Sequence, residues 1–519
     1  MAPPTSQQAP RGIATWTRTE PDRVAFYSDD ETRTYGELDA RSTRLAHALA
    51  ALGVAAEDRV AIMLPNSIEF FETWLAASKI GASVVLVNWH LKSDELAYIL
   101  EDSGAKALVS HRDLAPQHQP ALEATGAEAI IVGQGGGRDY EEAIDKAPQA
   151  PLEREVEALI APVFYTSGTT GRPKGVIHGL AALAPSAAAA MIEGQVALWS
   201  WTSDDVYICS GPAYHAGPGG WTMAALYVGA PTVILAMFDA SEWLRLVEQH
   251  RVTCSFMVPA HFIRILEVPE AERAGRDLSS LRLLVHAGAP CPIPVKRKII
   301  EALPCEISEL YGASEGGATR ITSAEWLERP GSVGTPWPGV EVHILDDEGT
   351  PVPTGEQGIV YIRPPGESRF HYHDDPNKTA EAWRDQGFTV GDVGYLDDAG
   401  YLFLTDRASD MVIRGGVNIY PREIEEVLYT HPAVVDCAVF GVPDDRLGEQ
   451  LHAVVEVRAS LSGVPTTPHE LRAHCVEHLA DFKVPKDIEL VDELPRQPNG
   501  KVLKRLLRDK FWEGRTTRI

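Results

Sequence analysis

Cysteine is scarce and scattered, with six residues in 519 (Cys209, Cys254, Cys291, Cys305, Cys437, Cys475), no C-x-x-C pair and no Cys/His ligand spacing. That pattern argues against a disulfide framework or a zinc site, so the thiols read as reduced and mostly buried. Positive charge is also in deficit. With 47 Lys+Arg against 73 Asp+Glu the formal net charge is -26, which repels a phosphate backbone and argues against nucleic acid as a partner. Any anionic ligand has to be held by local groups. No apolar run reaches membrane-spanning length, since residues 228–238 come nearest and contain Gly229 and Pro231. Residues 1–14 carry Pro, Gln and one Arg but no apolar core, unlike a secretory signal or a membrane span. These absences lead to the expectation of a cytoplasmic protein.

A chain of 519 residues with 44% hydrophobic content has room for a large core and for several domains. Leu38, Leu45, Leu49 and Leu52 recur at helical spacing up to Gly53, an apolar run follows at 59–64, then a second helical pattern and a second run at 83–87. Further strand-like runs at 206–210, 232–235, 254–258, 281–285 and 305–310 are separated by helical stretches. This alternation predicts an α/β fold, a large N-terminal domain of parallel-rich sheets covered by helices. The pattern changes around Gly394, and strands expected at 434–440, 451–457 and 488–491 with a helix at 469–479 predict a smaller, compact α+β C-terminal domain. We divide the chain into domains 1–408 and 409–519. The glycine run at 133–137 reads as a surface loop, because Arg138 stands where G-x-G-x-x-G needs its third glycine.

Ligands of open α/β sheets collect beyond the carboxyl ends of the strands. Four short segments follow expected strands there: Gly211 to His215, Val258-Pro259-Ala260, His286-Ala287-Gly288-Ala289-Pro290, and Tyr311-Gly312-Ala313-Ser314-Glu315. We expect them to form one rim. The most informative stretch is Tyr165-Thr166-Ser167-Gly168-Thr169-Thr170-Gly171-Arg172-Pro173-Lys174-Gly175. Its glycines let backbone amides approach an anion, its hydroxyls add donors and Lys174 adds charge, which is phosphate-binding chemistry. It is not a Walker A loop, since Arg172 and Pro173 separate Gly171 from the lysine.

With this loop in place, the chain resembles the adenylate-forming superfamily of acyl-CoA synthetases, nonribosomal adenylation domains and beetle luciferases, and is most like a bacterial acyl-CoA synthetase. The motifs run in the family's order: the Thr/Ser/Gly-Lys loop, Tyr311 to Glu315, Gly391-Asp392, Thr405-Asp406-Arg407, Gly415-Gly416 and Gln497-Pro498-Asn499-Gly500-Lys501. The resemblance implies an ATP- and Mg²⁺-dependent ligase that converts a carboxylic acid to an acyl-adenylate and then to a thioester of coenzyme A. A carboxylate is a poor electrophile, and adenylation supplies its leaving group, so cations, metal ligands and amides are the residues required.

The resemblance puts Glu315 on Mg²⁺ with Thr166 as a second ligand, and Thr166 to Gly171, Lys174, Gly288, Ala289, Pro290, Gly312 and Ser314 around the nucleotide. Tyr311 would stack on adenine, Asp392 would accept from the ribose hydroxyls, and Arg407 would touch ribose or phosphate. A solvated carboxylate is the plain alternative for Glu315, and a core aromatic for Tyr311. Lys501 corresponds to the lysine that bridges the acid and the α-phosphate during adenylation. The resemblance implies that the C-terminal domain is mobile, with its hinge on Ser409, where the family more often has Asp or Lys, and Gly415 and Gly416 would line the pantetheine passage, with a plain turn as the alternative. His215 flanks the acyl pocket, either as a gate or as a satisfied histidine, and Gly217, Val258, Ala287, Gly288, Leu310 and Gly312 complete that pocket. A medium-to-long or bulky hydrophobic acid is expected.

Three rivals stand against this reading, two within the superfamily and one from a different class. A domain that loads a carrier protein would use an amino-recognition string such as Phe238-Asp239-Ala240-Ser241, but that string precedes a helical pattern at 243–250, where Asp239 or Ser241 reads as an N-cap. No carrier segment is expected after Lys501. A non-catalytic nucleotide sensor has no use for Lys174, Glu315, Asp392, Arg407 and Lys501 together, and luciferase-like oxygenation uses the same motifs. The oligomeric state stays open, with a homodimer among the candidates.

Overall fold

The computed structural model describes residues 12–28, 31–134, 138–152, 161–166, 173–178, 185–366, 369–407, 410–414, 417–444, 446–458, 466–497 and 500–513, without the side chains of 166, 185–191, 407 and 418. The chain separates into two compact units, one of Met1–Met257, Ala271–Leu284 and Glu367–Thr379, the other of Val258–Glu270, Val285–Gly366 and Ala380–Ile519.

In the first unit the apolar run at 59–64 becomes the strand Arg59–Met63, with Ser83–Leu86 and Ala107–His111 parallel to it on either side. Glu128–Val132 extends the sheet beyond Ala107–His111, and Val163–Thr166 extends it beyond Ser83–Leu86, both in parallel. Val60 to Met63 are fully buried, as strands covered on both faces require. The helix Tyr35–Ala51 opens with a capping box between Thr34 and Glu37 and buries Leu38, Leu45 and Leu49. A second sheet has Tyr207–Cys209 parallel to Thr232–Ile234 on one side and to Cys254–Met257 on the other. Asp239 caps the helix Ala240–His250 by accepting from Glu242 N at 2.8 Å, so its carboxylate serves the backbone there.

The second unit departs from the parallel expectation. The strand Glu306–Ala313 turns back through Ser314 and Glu315 into Gly316–Ile321, and a two-residue connection enforces antiparallel pairing. Ser332–Pro336, Leu402–Arg407, Asp392–Leu396 and Gly358–Arg363 continue the antiparallel order. Towards the C-terminus, Val434–Asp444 and Gly448–Val457 form a long antiparallel ribbon, with Asp487–Val491 added in parallel. The helices Pro421–Tyr429 and Pro468–His478 bury Ile424, Leu428, Leu471 and Cys475 in the core beneath this ribbon. The molecule is thus α/β, with a large sheet-rich N-terminal domain and a smaller C-terminal domain.

All six cysteines are unpaired and five are buried. Burial pushes the Cys209 and Cys254 thiols up to about 12, which keeps them protonated and unreactive. Among the described residues no helix is long and apolar enough to cross a membrane.

Candidate active site

The phosphate-loop residues Ser167, Gly168, Thr169, Thr170 and Gly171 lie outside the described residues, but both flanks are in place. Val163–Thr166 pairs antiparallel with Lys174–Ile177, and Thr166 stands opposite Lys174. A Walker A loop leads from a strand into a helix, whereas this chain returns to the same sheet. Behind the strand, Asp102 accepts from the Tyr165 hydroxyl at 2.6 Å and from the Tyr98 hydroxyl at 3.2 Å, and its carbonyl meets His373 Nε2 at 2.8 Å. Burial, reinforced by the Asp102 carboxylate, pushes the Tyr165 hydroxyl far above its ordinary range, so it stays a donor. Lys174 Nζ donates to Asp375, whose carboxyl is held down first by that bond and then by the backbone of Lys378. Nothing in the sequence flags Asp375, which lies 201 residues from its partner.

His215, in the same unit, stands just before the helix Ala216–Val228 with its ring against Tyr214, centroids 4.5 Å apart. Its Nε2 is buried with no hydrogen-bond partner among the described residues. Burial lowers its pKa to about 4, so the imidazole is neutral near pH 7. Gly217 faces the ring of Phe256, and a Cβ there would fall 2.4 Å from Phe256 Cε1. The missing side chain therefore admits a close approach of helix to strand, and the room beside it is already taken by Phe256.

The other candidates collect in the second unit. Gly312 stands opposite Gly317 across the hairpin, where a Cβ on Gly312 would lie 2.8 Å from Gly317 Cα and one on Gly317 would strike the Trp337 ring at 2.2 Å. Only glycine pairs so tightly there, and the turn that follows carries Ser314 and Glu315 at its tip. Tyr311, one residue before Gly312, is buried and donates its hydroxyl to Asp392 Oδ2 at 2.7 Å. Asp392 in turn is the cross-strand partner of Arg407, whose side chain is not among those described. The strand carrying Asp392 begins after Gly391, at φ 83°, whose amide bonds to Thr389 Oγ1 at 3.0 Å. Three motifs distant in sequence, those of Tyr311, Asp392 and Arg407, are thus linked by one hydrogen bond and one cross-strand pairing within the sheet.

A second gathering involves Val258, Gly288 and the turn of Lys501. A Cβ on Gly288 would sit 3.8 Å from Val258 Cγ1, which places the 286–290 segment beside 258–260. Gly500, at φ 81°, packs so closely on that segment that its Cβ would come within 2.6 Å of Ala260 Cβ and 3.5 Å of Val258 Cγ2. The turn is closed by Gly500 N to Gln497 O at 2.8 Å and Gln497 N to Lys501 O at 2.7 Å. Its base is fixed by Arg496, whose guanidinium meets Asp436 and, at 3.0 Å, Glu456. Sequence reasoning missed this anchor, since neither acid lies near the turn along the chain. Ala287 is buried, Leu310 half-buried, and Ala289 and Pro290 lead into the helix Ile293–Ala302. Ser409, Gly415 and Gly416 lie outside the described residues, although Arg414 and Val417 on either side of the glycine pair stand opposite each other in an antiparallel pairing.

Comparison with known proteins accounts for this arrangement. Residues 13–370 match the AMP-binding enzyme family, and residues 423–501 match the AMP-binding enzyme C-terminal domain. The chain is an AMP-binding enzyme. Among curated members of the family, it is 36% identical to the feruloyl-CoA synthase of an Amycolatopsis species over 96% of this chain and 99% of that one. It is 33% identical to the fatty acid–[acyl-carrier-protein] ligase ScoC of Streptomyces coeruleorubidus over 95% and 94%. The o-succinylbenzoate coenzyme A synthetase MenE of Bacillus subtilis, solved with ATP and a magnesium ion, superposes with a TM-score of 0.82 at 28% identity, covering 97% of this chain and all of that one. This AMP-binding enzyme is accordingly an AMP-forming acid–thiol ligase, of the family that works through an acyl-adenylate.

Proposed function

We propose that this enzyme joins a medium-to-long or bulky hydrophobic carboxylic acid to coenzyme A in two steps at one site. In the first, a carboxylate oxygen of the acid attacks the α-phosphorus of ATP and pyrophosphate leaves. In the second, the thiol of coenzyme A loses its proton, its sulfur attacks the acyl carbonyl carbon, and AMP leaves. The observation that carries this reading is the seat of the Gly500-Lys501 turn on Val258 and Ala260, in the unit that also pairs Tyr311 with Asp392. That seat supports the reading, because it sets Lys501 beside the 258–260 segment, where the lysine would act in the first step.

In this reading Lys501 bridges the acid and the α-phosphate, and Thr166 to Gly171 with Lys174 cradle the phosphates. Tyr311, held by Asp392, offers its ring to adenine. Asp392 takes the ribose hydroxyls, since a carboxylate has several acceptor sites and the bond from Tyr311 uses one. Among the described residues no three His, Cys, Asp or Glu side chains gather as a metal cluster. Glu315 at a glycine-flanked tip, with Thr166, suits Mg²⁺, which accepts one or two protein oxygens and takes the rest from phosphates and water. When bound, the ion neutralises phosphate charge. Val258, Ala287, Gly288, Leu310 and Gly312 would line the acyl pocket, Gly415 and Gly416 would line the pantetheine passage, and the domains 1–408 and 409–519 would turn about Ser409 between the steps. A carrier-protein thiol in place of coenzyme A is the second reading, favoured by the likeness to ScoC.

The test is Lys501→Ala, assayed with ATP, Mg²⁺ and a panel of linear, aromatic and polycyclic acids. Acid-dependent pyrophosphate release should fall by at least about a hundredfold, while thioester formation from a supplied acyl-adenylate should persist. Equal loss of both half-reactions would remove Lys501 from this role, and acyl-adenylate that never reaches coenzyme A would move the acceptor to a carrier protein.

A further inference from the structure

The reading of two half-reactions at one site requires the Lys501 turn to be held in place for the first and released for the second. The helix Pro421–Tyr429 supplies the hold. Arg422 and Glu426, one turn apart on this helix, both face segments that precede residue 408 in the chain. The Arg422 backbone N–H donates to Asp406 Oδ2 at 3.1 Å, and its Nη1 donates to the Leu404 carbonyl at 3.0 Å. Glu426 Oε2 accepts from Ile293 N at 3.2 Å, at the start of the helix that follows the 286–290 segment. Arg422 Nε also lies 3.9 Å from Glu426 Oε1, so each steadies the other.

The placement ties these contacts to Lys501. The same helix carries Glu425, whose Oε1 bonds to Lys504 Nζ at 2.6 Å, three residues beyond Lys501. The helix therefore holds the strand Leu402–Arg407 with Arg422, the start of the helix Ile293–Ala302 with Glu426, and the Lys501 turn's neighbour Lys504 with Glu425. We infer that Arg422 and Glu426 are positioning residues, a latch that holds Lys501 over the site for adenylation and opens before thiol transfer. The inference rests on the function proposed above. Glu425 and Lys504 both follow Ser409 in the chain and would travel together in a rotation about it, whereas the contacts to Leu404, Asp406 and Ile293 join residues on its two sides and would part.

The two half-reactions separate a latch from a general structural role. In Glu426→Ala, acyl-adenylate formation should fall by about tenfold, as expected for loss of a hydrogen bond to a charged group. Thioester formation from supplied acyl-adenylate should hold or rise, because the closed arrangement no longer competes. Glu426→Gln keeps an acceptor for Ile293 N and should recover most of the first half-reaction. Spin labels at Leu327→Cys and Val476→Cys, both exposed, in a Cys305→Ser background report the arrangement without any chemistry. Their distance distribution should be narrow in the parent and broad in Arg422→Ala/Glu426→Ala. Equal loss in both half-reactions, or an unchanged distance distribution, overturns the latch. A parent that forms no acyl-adenylate with any acid overturns the proposed function instead, and the label distances still decide whether Arg422 and Glu426 hold the closed arrangement.

Discussion

A methyl group at Gly500 would meet Ala260 Cβ at 2.6 Å on a backbone already at φ 81°, so both the contact and the conformation oppose it. Left-handed backbone at a non-glycine residue carries about 1–2 kcal/mol of strain, and the collision adds to it. We predict that Gly500→Ala lowers acid-dependent pyrophosphate release by at least about tenfold while sparing thioester formation from a supplied adenylate. Ala260→Gly in the same chain removes the collision but not the dihedral strain, so it should restore only part of the rate. Full recovery would mean that packing alone sets the position of Lys501. The same logic separates Gly217 from Gly312. Both lack a side chain, but Gly217 makes room for Phe256, whereas Gly312 makes room for the facing strand that carries the Glu315 turn.

Among the elements, the strand Glu306–Ala313 and the helix Ile293–Ala302 are joined by a buried ion pair between Glu309 and Lys296. Lys296 Nζ also lies 4.9 Å from the ring of Trp326, and His286 Nε2 lies 3.6 Å from Glu309 Oε2. This pair ties the strand that presents Tyr311 to the helix that follows the 286–290 segment. Removing one member strands a buried charge. Lys296→Met should therefore destabilise the protein by about 3–5 kcal/mol, and Lys296→Met/Glu309→Leu should recover much of that loss, as read from denaturant midpoints at constant slope. A double variant no more stable than the single one would show that the pair contributes net stability beyond mutual neutralisation. The antiparallel strands of this unit follow from local chemistry that the sequence displayed in Gly312, Gly316 and Gly317. The alternation of helix and strand upstream predicts parallel-rich sheets, and the two-residue turn makes this pair antiparallel.

For the molecule as a whole, histidines whose rings are taken out of water contribute to the response to acid. Burial lowers His215 to about 4 and His261 to about 3, and carries His286 well below its ordinary value, with the nearby Lys296 adding to the last. Each is neutral in the folded state and takes a proton more readily when unfolded. Depressed folded values mean that their stabilisation is complete above an unfolded pKa of about 6.5 and is lost as pH falls towards the folded values. Each group forfeits roughly 1.4 kcal/mol per pH unit in that window. Thermal unfolding at pH 7.5 and at pH 5.0 should therefore show a marked drop in midpoint, and substituting glutamine for His261 should flatten it. A midpoint unchanged between those pH values would contradict the buried neutral histidines.

Features whose signals act locally are legible in the order of residues. Leu38, Leu45 and Leu49 form a helix face by their period, Asp239 caps the helix that follows it, and the ordered glycine and lysine motifs point to the AMP-binding enzymes. The tertiary structure decided what depends on closure of the chain. Lys174 acquired Asp375, Arg496 acquired Asp436 and Glu456, and Arg422 and Glu426 found Asp406 and Ile293. Periodicity and capping act within a few residues and are written in the order of side chains. An ion pair or a hydrogen bond between distant residues exists only where packing has already fixed both backbones, so its partners leave no trace in sequence spacing.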